Sequence, residues 1–166
     1  IFSAAAPAPA WHPAHAHCDA LSFELSAYGE RVVCDTGEGG GEQAAGRALA
    51  RSTRAHATVL VNGAEQAELW GSDRIGGRPD VGLVRVTPDT CVEAVCAGWS
   101  TPDVLHRRRL TLDGSGVHVE DHFEQPARQA RLALPLAPGV SVRLDGRRAQ
   151  LGLPHGAGHA IDQRHR

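Results

Sequence analysis

Short apolar runs broken by turn residues fill most of the chain. In "HCDALSFELSAYGERVVCD", Leu21, Phe23 and Leu25 alternate with Ser22 and Glu24, the period of a half-buried strand. Two strands joined near Tyr28-Gly29-Glu30 account for that stretch. "TGEGGGEQAAG", residues 36 to 46, has no periodicity and reads as a loop. "HATVLVNGAEQAELWG" predicts a strand, an Asn62-Gly63 turn and a second strand. "VGLVRV" and "TCVEAVCAGW" follow, divided at Thr87-Pro88-Asp89. A hairpin about Asp113-Gly114 is expected in "LHRRRLTLDGSGVHVEDHF". "ARLALPLAPGVSVRLDGRRAQLGL" supplies three short strands, with turns at Pro138-Gly139 and Asp145-Gly146. Residues 42 to 51 alone suit a short helix. Many strands with Gly-rich turns predict an all-β fold, an antiparallel β-sandwich over residues 1–155. The His- and Arg-rich tail, 156–166, is expected to be disordered.

Composition narrows the class. The chain has 166 residues, 42% of them apolar, and a formal net charge of −2. That is enough for one domain with a real core, and it favours neither a disordered segment nor a nucleic-acid binder. All 17 basic residues are arginine. No apolar window approaches the length of a membrane span. The sequence opens on Ile1 and contains no methionine, so it reads as a piece of a longer protein. Four cysteines are too few for a disulfide framework, and none has the tight spacing of a zinc ribbon. Cys18 and Cys34 read as buried thiols or as a bridge.

The chemistry concentrates in "HPAHAHCDALSFEL", residues 12 to 25. On a strand, residues two apart share a face, so His15, His17 and Asp19 point together with Leu21, Phe23 and Leu25. One face then changes from imidazole and carboxylate to core. These are ligand types that zinc accepts in water-accessible sites. Asp35, ending "RVVCD", and His56, in "RSTRAHATV", are the next candidates. A lone His or Asp of this kind is more often a solvated or internally bonded group. A cupin-like metal site fits poorly. Leu21 and Ser22 stand where its glutamate belongs, Glu24 falls too late, and its Gly-Pro-Gly motif is missing.

Three stretches together resemble the C-terminal β-sandwich of the heparinase II/III-like polysaccharide lyases. They are "HAHCDALSFELSAYGERVVCDTG", "RSTRAHATVLVNGAEQAELWG" and, more loosely, "GVHVEDHFE". The resemblance implies a structural zinc held by His17, Asp35 and His56, with His15 facing the sugar. It makes Asp19 an orienting partner, and Arg51 a support for the site or a surface ion pair. Trp70 and Gln66 become candidate sugar contacts, although a hairpin Trp also serves as a core plug. The implied activity is β-elimination on an acidic, uronate-containing polysaccharide of heparan sulfate, alginate or exopolysaccharide type. The implied location is periplasm or cell envelope.

The resemblance also implies a catalytic partner. The family's usual acid-base tyrosine and carboxylate-binding groups sit on an N-terminal α/α toroid, which this sequence lacks. Tyr28, its one tyrosine, is expected in a turn. Ala57 stands where the family often has Asn, and no tyrosine precedes Arg51. The chain alone is therefore expected to be incomplete and inactive. The alternative is a non-catalytic, zinc-stabilised carbohydrate-binding or structural module. "HRRRL", 106 to 110, reads as a solvated edge strand, and His118, Glu120 and His122 as an exposed face.

Overall fold

The structure is a computed structural model that describes residues 1–9, 11–37, 45–71, 73–98, 104–114, 116–124 and 128–154 in full, and 44 and 158–162 by backbone alone. In chain order the strands are β1 (Leu25–Ala27), β2 (Glu30–Val33), β3 (Val59–Val61), β4 (Glu68–Trp70), β5 (Arg74–Gly76), β6 (Asp80–Thr87) and β7 (Cys91–Ala97). They continue with β8 (Leu105–Asp113), β9 (Gly116–Phe123), β10 (Ala130–Leu132), β11 (Ser141–Asp145), β12 (Arg148–Gly152) and β13 (Gly158–Asp162). Among the described residues one α-helix, α1 (Ala44–Arg51), lies where the expected helix falls; residues 42 and 43 lie outside the described residues. Of the tail expected to fray, 158–162 form β13, while 156–157 and 163–166 are outside the described residues.

Every described sheet is antiparallel, as expected of a sandwich. The largest runs β6-β7-β8-β9. Its inward face carries Ala94 and Cys96 on β7, Arg108 and Leu110 on β8, and Val119 and Asp121 on β9. Opposite it lie β2 and the β11-β12-β13 sheet. Val32, Val33, Leu151 and Leu153 form a core there with Phe23 and Ala57, against Leu110 and Val119. Ala20 and Leu21 pack onto Ala94 and Cys96. These small β7 residues stand beside Arg108 and His106 across the ladder, which leaves room for two large polar side chains beneath the sheet. Arg108 is 0% exposed and β8 is an interior strand, so "HRRRL" is not the solvated edge expected of it. His118, Glu120 and His122 are exposed, as expected.

Two features differ from the sequence reading. The Asn62-Gly63 turn forms, with both residues at positive φ. Beyond it only Ala64 bridges back to Val61. β3 pairs instead with β10, and β4 with β5. The second difference is at the histidines. Residues 15 to 25 are not one strand: Pro13–His15 form a 3-10 turn and β1 begins only at Leu25. Between them the Ser22 N–H donates to the Asp19 carbonyl at 3.0 Å, closing a turn with Leu21 at φ 58°. A left-handed bulky residue costs about 1–2 kcal/mol. Burial of Leu21 and pairing of 22–24 with residues 1–3 offset that cost.

Candidate functional site

The left-handed Leu21 decides which side chains reach solvent. From 16 to 20 the period of two survives: Ala16, Cys18 and Ala20 are buried, while His17 and Asp19 lie half-buried between them. At Leu21 the register inverts, so Ala20 and Leu21 are both in the core. His17 and Asp19 therefore share a side with each other but not with Leu21 and Phe23, contrary to the strand reading.

Asp35 follows β2, and one of its carboxylate oxygens accepts the Gly37 N–H at 2.7 Å. The other lies 2.6 Å from His56 Nδ1. His56 follows a 3-10 turn, Thr53–Ala55, and is 1% exposed. Its Nε2 is buried without a hydrogen-bond partner among the described residues. The His17 ring stands 5.2 Å from the His56 ring, tilted by 47°. All three residues, with Asp19, His15 and His12, line one cleft of about 590 Å³. His15 is exposed and stacks parallel to His12 at 6.0 Å. Trp11, exposed, borders the same cleft. The residue types around Trp11 gave no periodic pattern, so the sequence reading did not single it out.

Electrostatics in the cleft follow burial and proximity. Burial, then the neighbouring His56, push the His17 pKa below its usual value, which favours the neutral imidazole. Burial raises Asp19, and the imidazoles of His56 and His17 oppose the shift without cancelling it. Burial also pushes Asp35 upward, but the hydrogen bonds from His56 and the Gly37 amide outweigh it and hold the carboxyl below its ordinary range.

The donor set suits zinc in kind: two imidazoles and a carboxylate on one cleft, with the buried His56 Nε2 unsatisfied. The spacing is that of a hydrogen-bonded cluster. No group of three His, Cys, Asp or Glu among the described residues is spaced to hold a metal. Two donors on one tetrahedral ion stand about 3.3 Å apart, so the His56–Asp35 contact at 2.6 Å is a proton-mediated one.

Buried polar side chains tie the segments of the site together. Arg51 is buried; its Nε donates to the Ala16 carbonyl at 2.9 Å and its Nη2 to Arg74 O at 3.1 Å. It supports the backbone between His15 and His17 and, among the described residues, makes no surface ion pair. Gln66, expected to touch sugar, is 0% exposed. Its amide oxygen accepts the Ala20 N–H at 2.9 Å, and its amide nitrogen donates to Ala20 O at 3.0 Å. It is a backbone clamp behind the site, with no atom for a ligand. Trp70 is 53% exposed on the β4–β5 hairpin, with its indole over Gly76, and is not among the cleft residues. It is therefore no core plug. Tyr28 is exposed in the β1–β2 turn. All four cysteines are free, and burial pushes the Cys18 thiol up to about 12.

No helix among the described residues is long and apolar enough to cross a membrane. No curated protein and no solved structure matches the chain. One family does, described as heparinase II/III-like, C-terminal, and the match runs over residues 1–166. With its antiparallel sheets and its histidine-lined cleft, the chain belongs to the heparinase II/III-like C-terminal domain family, which relates it to the polysaccharide lyases and to acidic polysaccharide substrates in general.

Proposed function

We propose that this chain is the sandwich portion of a polysaccharide lyase that cleaves uronate-containing glycans by β-elimination, outside the cytoplasm. The observation that carries the reading is the single cleft lined by His15, His17, Asp19, Asp35 and His56. In β-elimination a base removes the C5 proton, the C4–O4 bond breaks as the C4–C5 double bond forms, and an acid protonates O4. His15, exposed at the cleft, is the group of this chain that meets the sugar. An imidazole there donates or accepts a proton near neutral pH. The remaining acid, base and carboxylate-neutralising groups come from a helical N-terminal domain.

His17, Asp35 and His56 would hold a structural zinc only after the proton between His56 and Asp35 is displaced and those two donors move apart, with Asp19 orienting an imidazole beside them. Zinc bound there would cross-link three separate segments of the chain. Elemental analysis tests this: one zinc per chain, lost in His17→Ala, Asp35→Ala and His56→Ala and kept in His15→Ala. A wild-type protein purified without metal, or variants that all retain it, would sink the metal reading. Assay of the chain alone on heparan sulfate and alginate is expected to yield little unsaturated uronate; robust release overturns the need for a partner domain. The exposed turn position of Tyr28 favours a second reading, a non-catalytic carbohydrate-binding module. Glycan binding that persists without turnover after a helical domain is joined to the chain would select it.

A further inference from the structure

We infer that Arg108, held in place by Asp121, is a positioning residue for the cleft, because one buried guanidinium links the backbones of the two segments that carry His17 and His56. The inference rests on the reading of that cleft as the functional site. Arg108 lies on the inward face of β8, opposite Asp121 on β9. Its Nε and Nη2 donate to the two Asp121 carboxylate oxygens at 2.7 and 2.9 Å. Its Nη1 donates to Leu21 O and to Ala57 O, both at 2.7 Å. Four of the guanidinium's donors are thus committed in a planar fork that a lysine cannot reproduce.

The two carbonyls are not arbitrary. Ala57 directly follows His56, and Leu21 is the left-handed residue that turns the chain after His17 and Asp19. The Phe23 ring lies 5.7 Å from the guanidinium carbon and helps seal it. A second link runs alongside, since Thr58 Oγ1 donates to Ala20 O at 2.8 Å. The 20–21 turn and the 56–58 segment are therefore fixed to one another from beneath, and the fixed point is the β8–β9 ladder. His56 Nδ1 meets Asp35 only while this backbone holds its place. Asp121 also accepts from His106 Nε2 at 2.7 Å, so its carboxylate is shared between two buried groups.

The test compares wild type with Arg108→Lys, and with Arg107→Lys on the opposite face of the same strand. Two readouts go beyond folding: long-range nitrogen-proton NMR of the His56 imidazole without metal, and Co²⁺ titration. Wild type should show one His56 tautomer, with the proton on Nδ1. Arg108→Lys should keep its circular dichroism, lose the single tautomer, and bind Co²⁺ about 10- to 100-fold more weakly, as when an outer-shell partner of a metal ligand is removed. Arg107→Lys should match wild type in both. If Arg108→Lys merely melts earlier, with the His56 signals and Co²⁺ affinity intact, the residue is structural only and the inference is overturned. Should Arg108→Lys not fold, Asp121→Asn is read in the same way; unfolding of both variants also overturns it. If wild type binds no Co²⁺, the metal reading fails by itself and the NMR comparison still decides the role of Arg108.

Discussion

Two histidine–aspartate contacts in this molecule are almost the same length and have opposite surroundings. His56 Nδ1 meets Asp35 at 2.6 Å beside the cleft; His106 Nε2 meets Asp121 at 2.7 Å under the sheet. In the second, a guanidinium completes the carboxylate, and Phe123 stacks on the imidazole at 4.8 Å. Burial raises Asp121, but the bonds from His106 and Arg108 hold it well below its usual range. In the first, Asp35 also accepts the Gly37 amide, and the neighbours are His17 and Asp19 on open space. A pair whose carboxylate is held by an imidazole and a guanidinium beneath the sheet, away from the cleft, is a rivet. The same pair left beside a cleft, with His56 Nε2 unsatisfied, has donor capacity to spend on a ligand.

Arg108→Ala separates the two regions most strongly. It leaves Asp121 without its guanidinium partner and should cost about 3–5 kcal/mol of unfolding free energy, measured by urea denaturation. His56→Ala should cost less, about 1–3 kcal/mol, while abolishing metal uptake; a larger loss than for Arg108→Ala would reverse the assignment of rivet and site. Acid sharpens the contrast. The folded pKa of Asp121 lies below its ordinary 3.8. Its stabilising contribution is therefore complete above about pH 3.8 and fades as pH drops through the folded value. Asp121→Asn should be less stable at neutral pH and show a flatter acid limb; an unchanged limb would mean the carboxylate is not held as described. His15→Ala, at the exposed end, should leave the unfolding midpoint unmoved and slow the assembled lyase about 10²–10⁴-fold.

Much of the β-architecture was legible because it is local. The Asn62-Gly63 and Asp113-Gly114 turns, the β6–β7 pair and the β11–β12 pair are set by neighbouring residues. Partner choice was not legible for β3, which leaves its own hairpin for β10 nearly 70 residues away by sequence. Nor was the inversion at Leu21, since a leucine carries no mark of a left-handed backbone. The residue types of the cleft were visible in the sequence, because His and Asp are few and cluster. Their supports were not. Arg108 hides in an arginine run that reads as solvated, and its target carbonyls belong to residues with no polar side chain. The cross-strand match of Arg108 to Asp121, computable once the Asp113-Gly114 hairpin register is set, was the one available clue.

Gln66 gives residue 20 something unusual. By accepting from the Ala20 N–H and donating to the Ala20 carbonyl, one primary amide does for a turn what an adjacent strand does for a sheet. The Ala20 amide hydrogen should accordingly exchange with solvent deuterium as slowly as those at the centre of β7. A point that secondary structure alone would class as loop is thus an anchored hinge pin, and the short stretch carrying His17 is tethered at its inner end while its outer end stays accessible.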